Sequence, residues 1–183
     1  RGAWEQLPRP DAVKLLTSSP FAERDRAGDR GTAIHAAVQA YLSDKPIADT
    51  LSGEELDCAI QVEAYLRQCV KSVLGVEVTV FSPEHGYAGT LDLWHQNESK
   101  AICITDWKSA KSVYPEFAVQ QIAYRNAEWA VIGDHGPEQK SWKGKLVKWT
   151  PAGVLHIVHV RPDGATVHAV DSDQYDRLWE VFL

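Results

Sequence analysis

The sequence contains no methionine, only three cysteines and no apolar run long enough to cross a membrane. The cysteines, Cys58, Cys69 and Cys103, are scattered in apolar surroundings, which argues against a disulfide framework and indicates a reducing compartment. No signal-peptide pattern opens the chain, which begins at Arg1. We therefore expect a cytoplasmic protein without membrane contact, and a start without Met is compatible with a processed or excised piece.

The chain also lacks a surplus of positive charge. Its 19 lysines and arginines are outnumbered by 25 aspartates and glutamates, which gives a formal net charge of −6. A protein that grips duplex nucleic acid non-specifically usually presents a basic face, because phosphate neutralisation supplies most of that affinity. The charge balance therefore predicts that any binding of nucleic acid is weak and salt-sensitive, or is helped by a partner.

Hydrophobic residues make up 44% of the 183 residues, which is enough for one domain with a proper core. No linker, internal repeat or low-complexity tract divides the sequence. We describe this single domain as an N-terminal extension (1–30), a core (31–130) and a C-terminal group of strands with a helix (131–183).

Hydrophobic periodicity and turn residues predict an α/β fold with a central, mixed and mostly antiparallel sheet flanked by helices. Helices are predicted at 31–42, from a capping box at Ser52 to about Leu74, from Pro115 to about Val131, and after Asp171 to the last residue. Strands are predicted at 76–81, 87–94, 101–107, 145–150, 154–160 and 165–170. The first three strands form a meander, and the helices of His35 and Gln120 are expected on the same side of it.

Two acids stand inside apolar strands, where hydrophobic residues are the usual choice. Asp92 lies in the second strand and Asp106 in the third. A buried, unpaired carboxylate costs several kcal/mol, so two of them in neighbouring strands need a shared partner. A divalent cation fits this need, and a hairpin can bring Asp92 opposite Asp106.

Lys108 completes this group. Because side chains alternate along a strand, Asp106 and Lys108 point to one face while Trp107 points to the other. Two carboxylates suit Mg²⁺ or Mn²⁺, and the lysine can hold or deprotonate an attacking water and stabilise charge on a phosphate. The alternative interpretation is a structural Asp–Lys pair on a solvated strand face.

These residues resemble the motif of the PD-(D/E)XK nuclease superfamily, in which an acid precedes a D/E-x-K tripeptide on the next strand. Two flanking motifs are similar to those of its RecB-like branch. The motifs are Asp92 with Asp106-Trp107-Lys108, the upstream run Gly31-Thr32-Ala33-Ile34-His35, and the downstream run Gln120-Gln121-Ile122-Ala123-Tyr124. The resemblance covers roughly residues 31–130 and implies a restriction-endonuclease-like core.

The resemblance also implies roles for individual residues. A Mg²⁺ or Mn²⁺ ion is expected on His35, Asp92, Asp106 and the backbone carbonyl of Trp107, with Glu77 as an additional candidate ligand. Lys108 is expected to polarise the water. Gln120 is expected to touch the scissile phosphate or the lysine, with Gln121 as the competing choice, and Tyr124 to lie beside the nucleic acid strand. No cysteine cluster flanks the core, so the iron–sulfur cluster of some RecB-like nucleases is not expected.

The implied function is metal-dependent hydrolysis of DNA, as an exonuclease or processing enzyme in recombination, repair or phage DNA metabolism. A helicase or recombinase partner is compatible with this, and a phage enzyme would act in the host cytoplasm. The sequence leaves open exonuclease against endonuclease action and the oligomeric state. Two rival hypotheses are a non-catalytic nucleic-acid-binding module on the same scaffold and an enzyme acting on small phosphodiesters.

Further residues are candidates for contact with DNA. Lys111 follows the third strand, and Lys140, Trp142 and Lys143 begin a segment in which lysines alternate with tryptophans, which suits stacking on a single strand. The alternative for this segment is a solvated hairpin edge protected by lysines. Three histidines in the last strands are not expected to form a metal cluster, because His156 and His159 fall on opposite faces of one strand.

Overall fold

The computed structural model describes residues 8, 28, 30–38, 40–42, 51–133, 144–150 and 152–183. The described residues of the first helix, α1, are 28, 30–38 and 40–42. The other elements are α2 (Glu54–Cys69), β1 (Ser72–Ser82), β2 (Tyr87–Gln96), β3 (Ile102–Lys108), α3 (Pro115–Asn126), β4 (Trp129–Gly133), β5 (Gly144–Lys148), β6 (Val154–Arg161), β7 (Gly164–Ala169), a 3-10 turn (Ser172–Gln174) and α4 (Tyr175–Phe182). The predicted N-terminal extension falls almost entirely outside these residues.

Seven strands form one mixed sheet within the described chain, in the order β5-β4-β1-β2-β3-β6-β7. Every neighbouring pair is antiparallel except β3 and β6, which run parallel. A parallel neighbour needs a long crossover connection, and the chain between β3 and β6 provides one that includes α3. The prediction of an α/β protein with a mostly antiparallel sheet flanked by helices is confirmed.

Each face of the sheet has its own hydrophobic core. On one face, α1 and α2 pack through Ile34, Val38 and Leu66 against strand residues that include Leu93 and Trp107. The core on the opposite face is built by α3 and α4 with Val78, Leu91, Ile104, Ile122 and Tyr175. The expectation that the helices of His35 and Gln120 lie on the same side is therefore wrong, because their apolar stripes pack on opposite faces.

Several predicted boundaries are wrong for identifiable reasons. Helix α2 ends at Cys69 rather than near Leu74, because the chain turns extended at Val70 and pairs with β2 from Ser72 onward. Its N-terminus is capped by Gly53 without a side-chain hydrogen bond, so the predicted capping box does not form. No helix in the described part of the chain combines the length and apolar character that a membrane span requires.

The end of α3 differs most from the prediction. The helix stops at Asn126, and β4 (Trp129–Gly133) begins within the stretch that was predicted as the end of the helix, up to about Val131. This segment reads Trp-Ala-Val-Ile-Gly, whose aromatic and β-branched residues suit a strand. Pairing with β1 on one side and β5 on the other decides the outcome, since ladder hydrogen bonds and burial of Ala130 outweigh helix continuation.

Candidate metal centre

The site begins with an irregularity in β1. Glu77 has φ 51°, a left-handed conformation that is uncommon for a residue other than glycine. The ladder pairs Val76 with Leu93 and Val78 with Leu91, so Glu77 lies opposite Asp92 at a position where the two strands are not paired. Val76 packs in the α1–α2 core and Val78 in the α3–α4 core, so the usual alternation of faces is interrupted at Glu77. Backbone strain of this kind costs about 1–3 kcal/mol and concentrates at functional sites.

Asp92 lies where β2 and β3 separate. The ladder between these strands ends at Leu93 and Thr105, and continuing its register would put Asp92 opposite Asp106. Instead, Asp92 Oδ2 accepts a 2.7 Å hydrogen bond from the backbone N–H of Trp107. The two acids therefore lie on adjacent strands at an opening in the sheet.

Three ligand-type side chains converge at this opening. The ligand atoms of His35, Glu77 and Asp92 all lie within 4.8 Å of one another, and Nδ1 of His35 is 2.7 Å from Oε1 of Glu77. They line a cavity of about 360 Å³, together with Val38, Val76 and Trp107. One imidazole and two carboxylates form a donor set that suits Mn²⁺ or Mg²⁺. The residues present therefore fit the predicted ion.

The electrostatics of the group show why a cation fits there. Burial, followed by the nearby charge of Asp106, raises the pKa of Asp92 to about 7. Burial also raises the pKa of Asp106, against the opposing effect of Lys108. The hydrogen bond to Glu77 raises the pKa of His35 in spite of its partial burial. Each shift reports anions crowded into a poorly solvated space, which a divalent ion relieves.

Asp106 and Lys108 form the other half of the site, on the α3 face of β3. Nζ of Lys108 lies 2.6 Å from Oδ2 of Asp106 and donates a 3.0 Å hydrogen bond to Oε1 of Gln120. The amide of Gln120 in turn donates to the hydroxyl of Tyr124 over 2.6 Å. The ammonium is therefore held from two sides, by an acid on the sheet and by an amide on the helix.

Helix α3 brings these groups to the sheet through its periodicity and a glycine. Gln120 and Tyr124 are four residues apart and share one helix face. The ring of Tyr124 packs so closely on Gly89 that a Cβ on this glycine would lie 2.5 Å from Cε1 of the ring. Any larger residue at position 89 would displace Tyr124, so glycine is needed here for close approach.

The structure brings most of the predicted residues together. His35, Asp92, Asp106, Lys108, Gln120 and Tyr124 all belong to the two halves of the site. Gln120, and not Gln121, contacts Lys108, while Gln121 is fully buried and its amide has no hydrogen-bond partner in the described chain. The prediction that Asp106 and Lys108 share one strand face, with Trp107 on the other, is confirmed.

The structure does not place every predicted residue in its predicted role. Asp106 lies at the site, but it is not a member of the three-residue ligand group, and its carboxylate pairs with Lys108. Lys111 is exposed, and within the described chain its side chain makes no hydrogen bond or ion pair. Lys140, Trp142 and Lys143 lie outside the described residues. Among the histidines, His156 hydrogen-bonds to Tyr65 and His159 to the carbonyl of Ala110, so they do not converge.

The sequence gives only weak evidence for a role of Glu77. The evidence is an acid within the first apolar strand, for which the family resemblance suggests a role as an additional candidate ligand. The left-handed backbone that turns its carboxylate toward His35 is a tertiary feature, and nothing in a β-strand pattern predicts it.

The resemblance to the nuclease superfamily rests on short motifs. Such motifs carry information only when the fold places their residues together. A comparison with protein-family models found no family that matches the chain, and a comparison with curated proteins found no similar sequence.

Proposed function

We propose that the chain is a Mg²⁺- or Mn²⁺-dependent DNA nuclease with a restriction-endonuclease-like core, acting in recombination, repair or phage DNA metabolism. The observation that carries the proposal is the meeting of a His35–Glu77–Asp92 ligand group with the Asp106–Lys108 pair at one opening in the sheet. A structural Asp–Lys pair would not need a second, separate set of metal-type ligands beside it.

The two halves of the site divide the chemistry between them. A bound Mg²⁺ or Mn²⁺ supplies Lewis-acid polarisation of a phosphoryl oxygen and lowers the pKa of a water molecule. His35, Glu77 and Asp92 would hold the ion, with Asp106 and the Trp107 carbonyl as further proposed ligands. Lys108, held between Asp106 and Gln120, orients the attacking water and stabilises negative charge on the phosphate.

The net charge of −6 supports a second element of the proposal. Bound cation offsets only part of the surplus of acids, so binding of DNA by this chain alone is expected to be weak and to fall steeply with salt. We infer that a helicase or recombinase partner delivers the DNA strand to the site.

A digestion assay with plasmid and linear DNA in Mn²⁺ tests the function. We expect degradation by the parent protein, loss of degradation in EDTA, and loss in both Asp106→Ala and Lys108→Ala. Lys71→Ala is the matched control, because Lys71 is an exposed lysine whose ion pair with Glu98 spans 3.4 Å at the surface. This variant is expected to keep full activity.

Other outcomes of the same assay would replace the proposal. Intact DNA with retained binding identifies a non-catalytic nucleic-acid-binding module. Intact DNA with metal-dependent cleavage of bis(4-nitrophenyl) phosphate identifies an enzyme for small phosphodiesters. Degradation that survives both Asp106→Ala and Lys108→Ala places the chemistry elsewhere in the chain.

A further inference from the structure

A second cavity, of about 250 Å³, lies on the α3 face of the sheet beyond the Asp106–Lys108 pair. Its walls come from the start of α3, from β6 and β7, and from the turn before α4. The residues that matter for its chemistry are Tyr114, Ile157, His168, Asp171 and Gln174. The nuclease mechanism proposed above uses none of them.

The strand register places this cavity beside the reacting centre. Asp106 pairs with Ile157 across the parallel β3–β6 ladder, and Ile157 pairs with His168 across the antiparallel β6–β7 ladder. Residues directly opposite each other in a ladder share a face, so the three form one row. Neighbouring strands are about 4.8 Å apart. The Cα of Ile157 therefore lies one strand spacing from the Cα of Asp106, and the Cα of His168 lies two strand spacings from it. A nucleotide with its phosphate at Asp106 can therefore reach the cavity with its base.

A chain of rings also joins the cavity to the site. The ring of Phe117 lies 4.9 Å from Nζ of Lys108, and the ring of Tyr114 packs edge-on against Phe117 at 5.6 Å. Tyr114 is 42% exposed at the cavity rim, although it is a large aromatic residue. An exposed ring of this kind offers a stacking surface to a planar ligand.

The polar groups of the cavity suit a base and do not suit a phosphate. Among the described residues, no lysine or arginine lines it, and the carboxylate of Asp171 disfavours an anion. The side chains of His168, Asp171 and Gln174 offer hydrogen-bond donors and acceptors, and no hydrogen bond within the described chain engages them. An apolar floor, a ring at the rim and a few unengaged polar groups are the composition of pockets that bind unpaired bases.

We propose that this cavity binds an unstacked base of the strand whose phosphodiester lies at Asp106 and Lys108, an inference that rests on the proposed nuclease function. The substrate is then single-stranded DNA or the frayed end of a duplex. A base inside a duplex would first have to be extruded, at a cost of about a few kcal/mol. Blunt duplex ends are accordingly poor substrates.

Binding measurements with altered DNA test the cavity separately from cleavage. The probe is a fluorescein-labelled single-stranded oligonucleotide, compared with one of equal length that carries abasic sites and with a blunt duplex. Fluorescence anisotropy is measured in Mg²⁺ with the Lys108→Ala variant, so that the DNA stays intact. We expect the normal single strand to bind about tenfold more tightly than the abasic one, given the usual contribution of base stacking.

Variants in the same background assign the difference to the cavity. Tyr114→Ala and His168→Ala are expected to remove most of the preference for bases, whereas Tyr114→Phe keeps the ring and the preference. Val167→Ala is the matched control, because Val167 is an exposed neighbour of His168 whose side chain points to the opposite face of β7. Thermal unfolding of each variant shows that the fold is retained.

Any of three results overturns the inference. Normal and abasic strands bind equally, neither strand binds detectably, or the preference for bases survives Tyr114→Ala and His168→Ala. Base-dependent binding together with intact DNA in the parent assay would instead overturn the nuclease function and leave the base site standing. DNA degradation by the parent, together with equal binding of normal and abasic strands, would overturn the base site and leave the nuclease function standing.

Discussion

Trp107 donates its backbone N–H to the carboxylate of Asp92 over 2.7 Å. The middle residue of the Asp106-Trp107-Lys108 tripeptide therefore serves the site through its main chain. Its indole packs on the other face of the sheet, edge-on to the ring of Tyr65 at 5.1 Å. The hydrogen bond from the Trp107 backbone to Asp92 thus sets the spacing of β2 and β3 at the site. Packing in the α1–α2 core determines which residue type occupies position 107.

Replacing Asp92 with Asn should stabilise the metal-free protein and abolish its response to metal. Burial and Asp106 raise the pKa of Asp92 from 3.8 to about 7, so the folded state binds this proton more tightly than the unfolded state. The protonated form stabilises the fold fully below pH 4, and this contribution is lost as the pH rises through 7. At pH 8 in EDTA we expect the melting temperature of Asp92→Asn to exceed that of the parent by roughly 3–10 °C.

Differential scanning fluorimetry at pH 5 and pH 8, with EDTA or Mn²⁺, measures this effect. Mn²⁺ should raise the melting temperature of the parent and leave Asp92→Asn nearly unchanged. If Asp92→Asn is less stable than the parent at pH 8 in EDTA, the ionised Asp92 carboxylate does not destabilise the metal-free fold and the prediction is wrong.

Replacing Glu77 with Gln should weaken Mn²⁺ binding by about 10–100-fold. It should also lower the pKa of His35, because the hydrogen bond to the Glu77 carboxylate is the largest cause of its upward shift. Isothermal titration calorimetry reports the first effect, and NMR titration of the imidazole in the metal-free protein reports the second. Glu63→Gln is the control, since Glu63 pairs with Arg67 on the surface of α2. Equal Mn²⁺ affinity in the parent and Glu77→Gln would remove Glu77 from the site.

Gln120→Ala and Tyr124→Phe should differ in their effect on cleavage. Gln120 accepts a hydrogen bond from Lys108, so its loss leaves the ammonium held from one side and should lower the cleavage rate by about 100-fold. Within the described part of the chain, the Tyr124 hydroxyl hydrogen-bonds only to Gln120, so removing it should lower the cleavage rate less than about tenfold. Initial rates on linear DNA in Mn²⁺ measure both. A cleavage rate that falls further in Tyr124→Phe than in Gln120→Ala would contradict this prediction. It would show that the Tyr124 hydroxyl matters more for cleavage than the hydrogen bond between Gln120 and Lys108.

His95 should make the protein less stable in mild acid. It is fully buried, its Nε2 lies 2.9 Å from Oγ1 of Thr105, and burial lowers its pKa to about 4. The unfolded state takes up the proton near pH 6.5, so the stabilisation is lost as the pH falls from there toward 4, by about 2 kcal/mol between pH 7 and pH 5. Urea unfolding at both pH values should show this extra loss of stability in the parent and not in His95→Gln.

The control is His85→Gln, on the exposed β1–β2 turn, which should lose as much stability as the parent. If the parent, His95→Gln and His85→Gln all lose equal stability, His95 is not the cause.

Local rules predicted much of the site. Alternation along β3 put Asp106 and Lys108 on one face, and the spacing of four put Gln120 and Tyr124 on one face of α3. Local rules failed where distant pairing overrides propensity. Residues 129–133 form a strand because β1 and β5 flank them, and Glu77 turns its carboxylate toward His35 through a left-handed backbone in the middle of β1.

By itself, the sequence determined which chemical groups this protein has and how they repeat along helices and strands, since periodicity depends only on backbone geometry. Only the tertiary structure decided that Glu77 joins His35 and Asp92, and that Asp92 binds the Trp107 backbone rather than a side chain. It also decided that a base-sized cavity continues the row from Asp106 through Ile157 to His168. These outcomes depend on register between strands far apart in the chain, and register is set by the packing of the whole sheet rather than by any local run of residues.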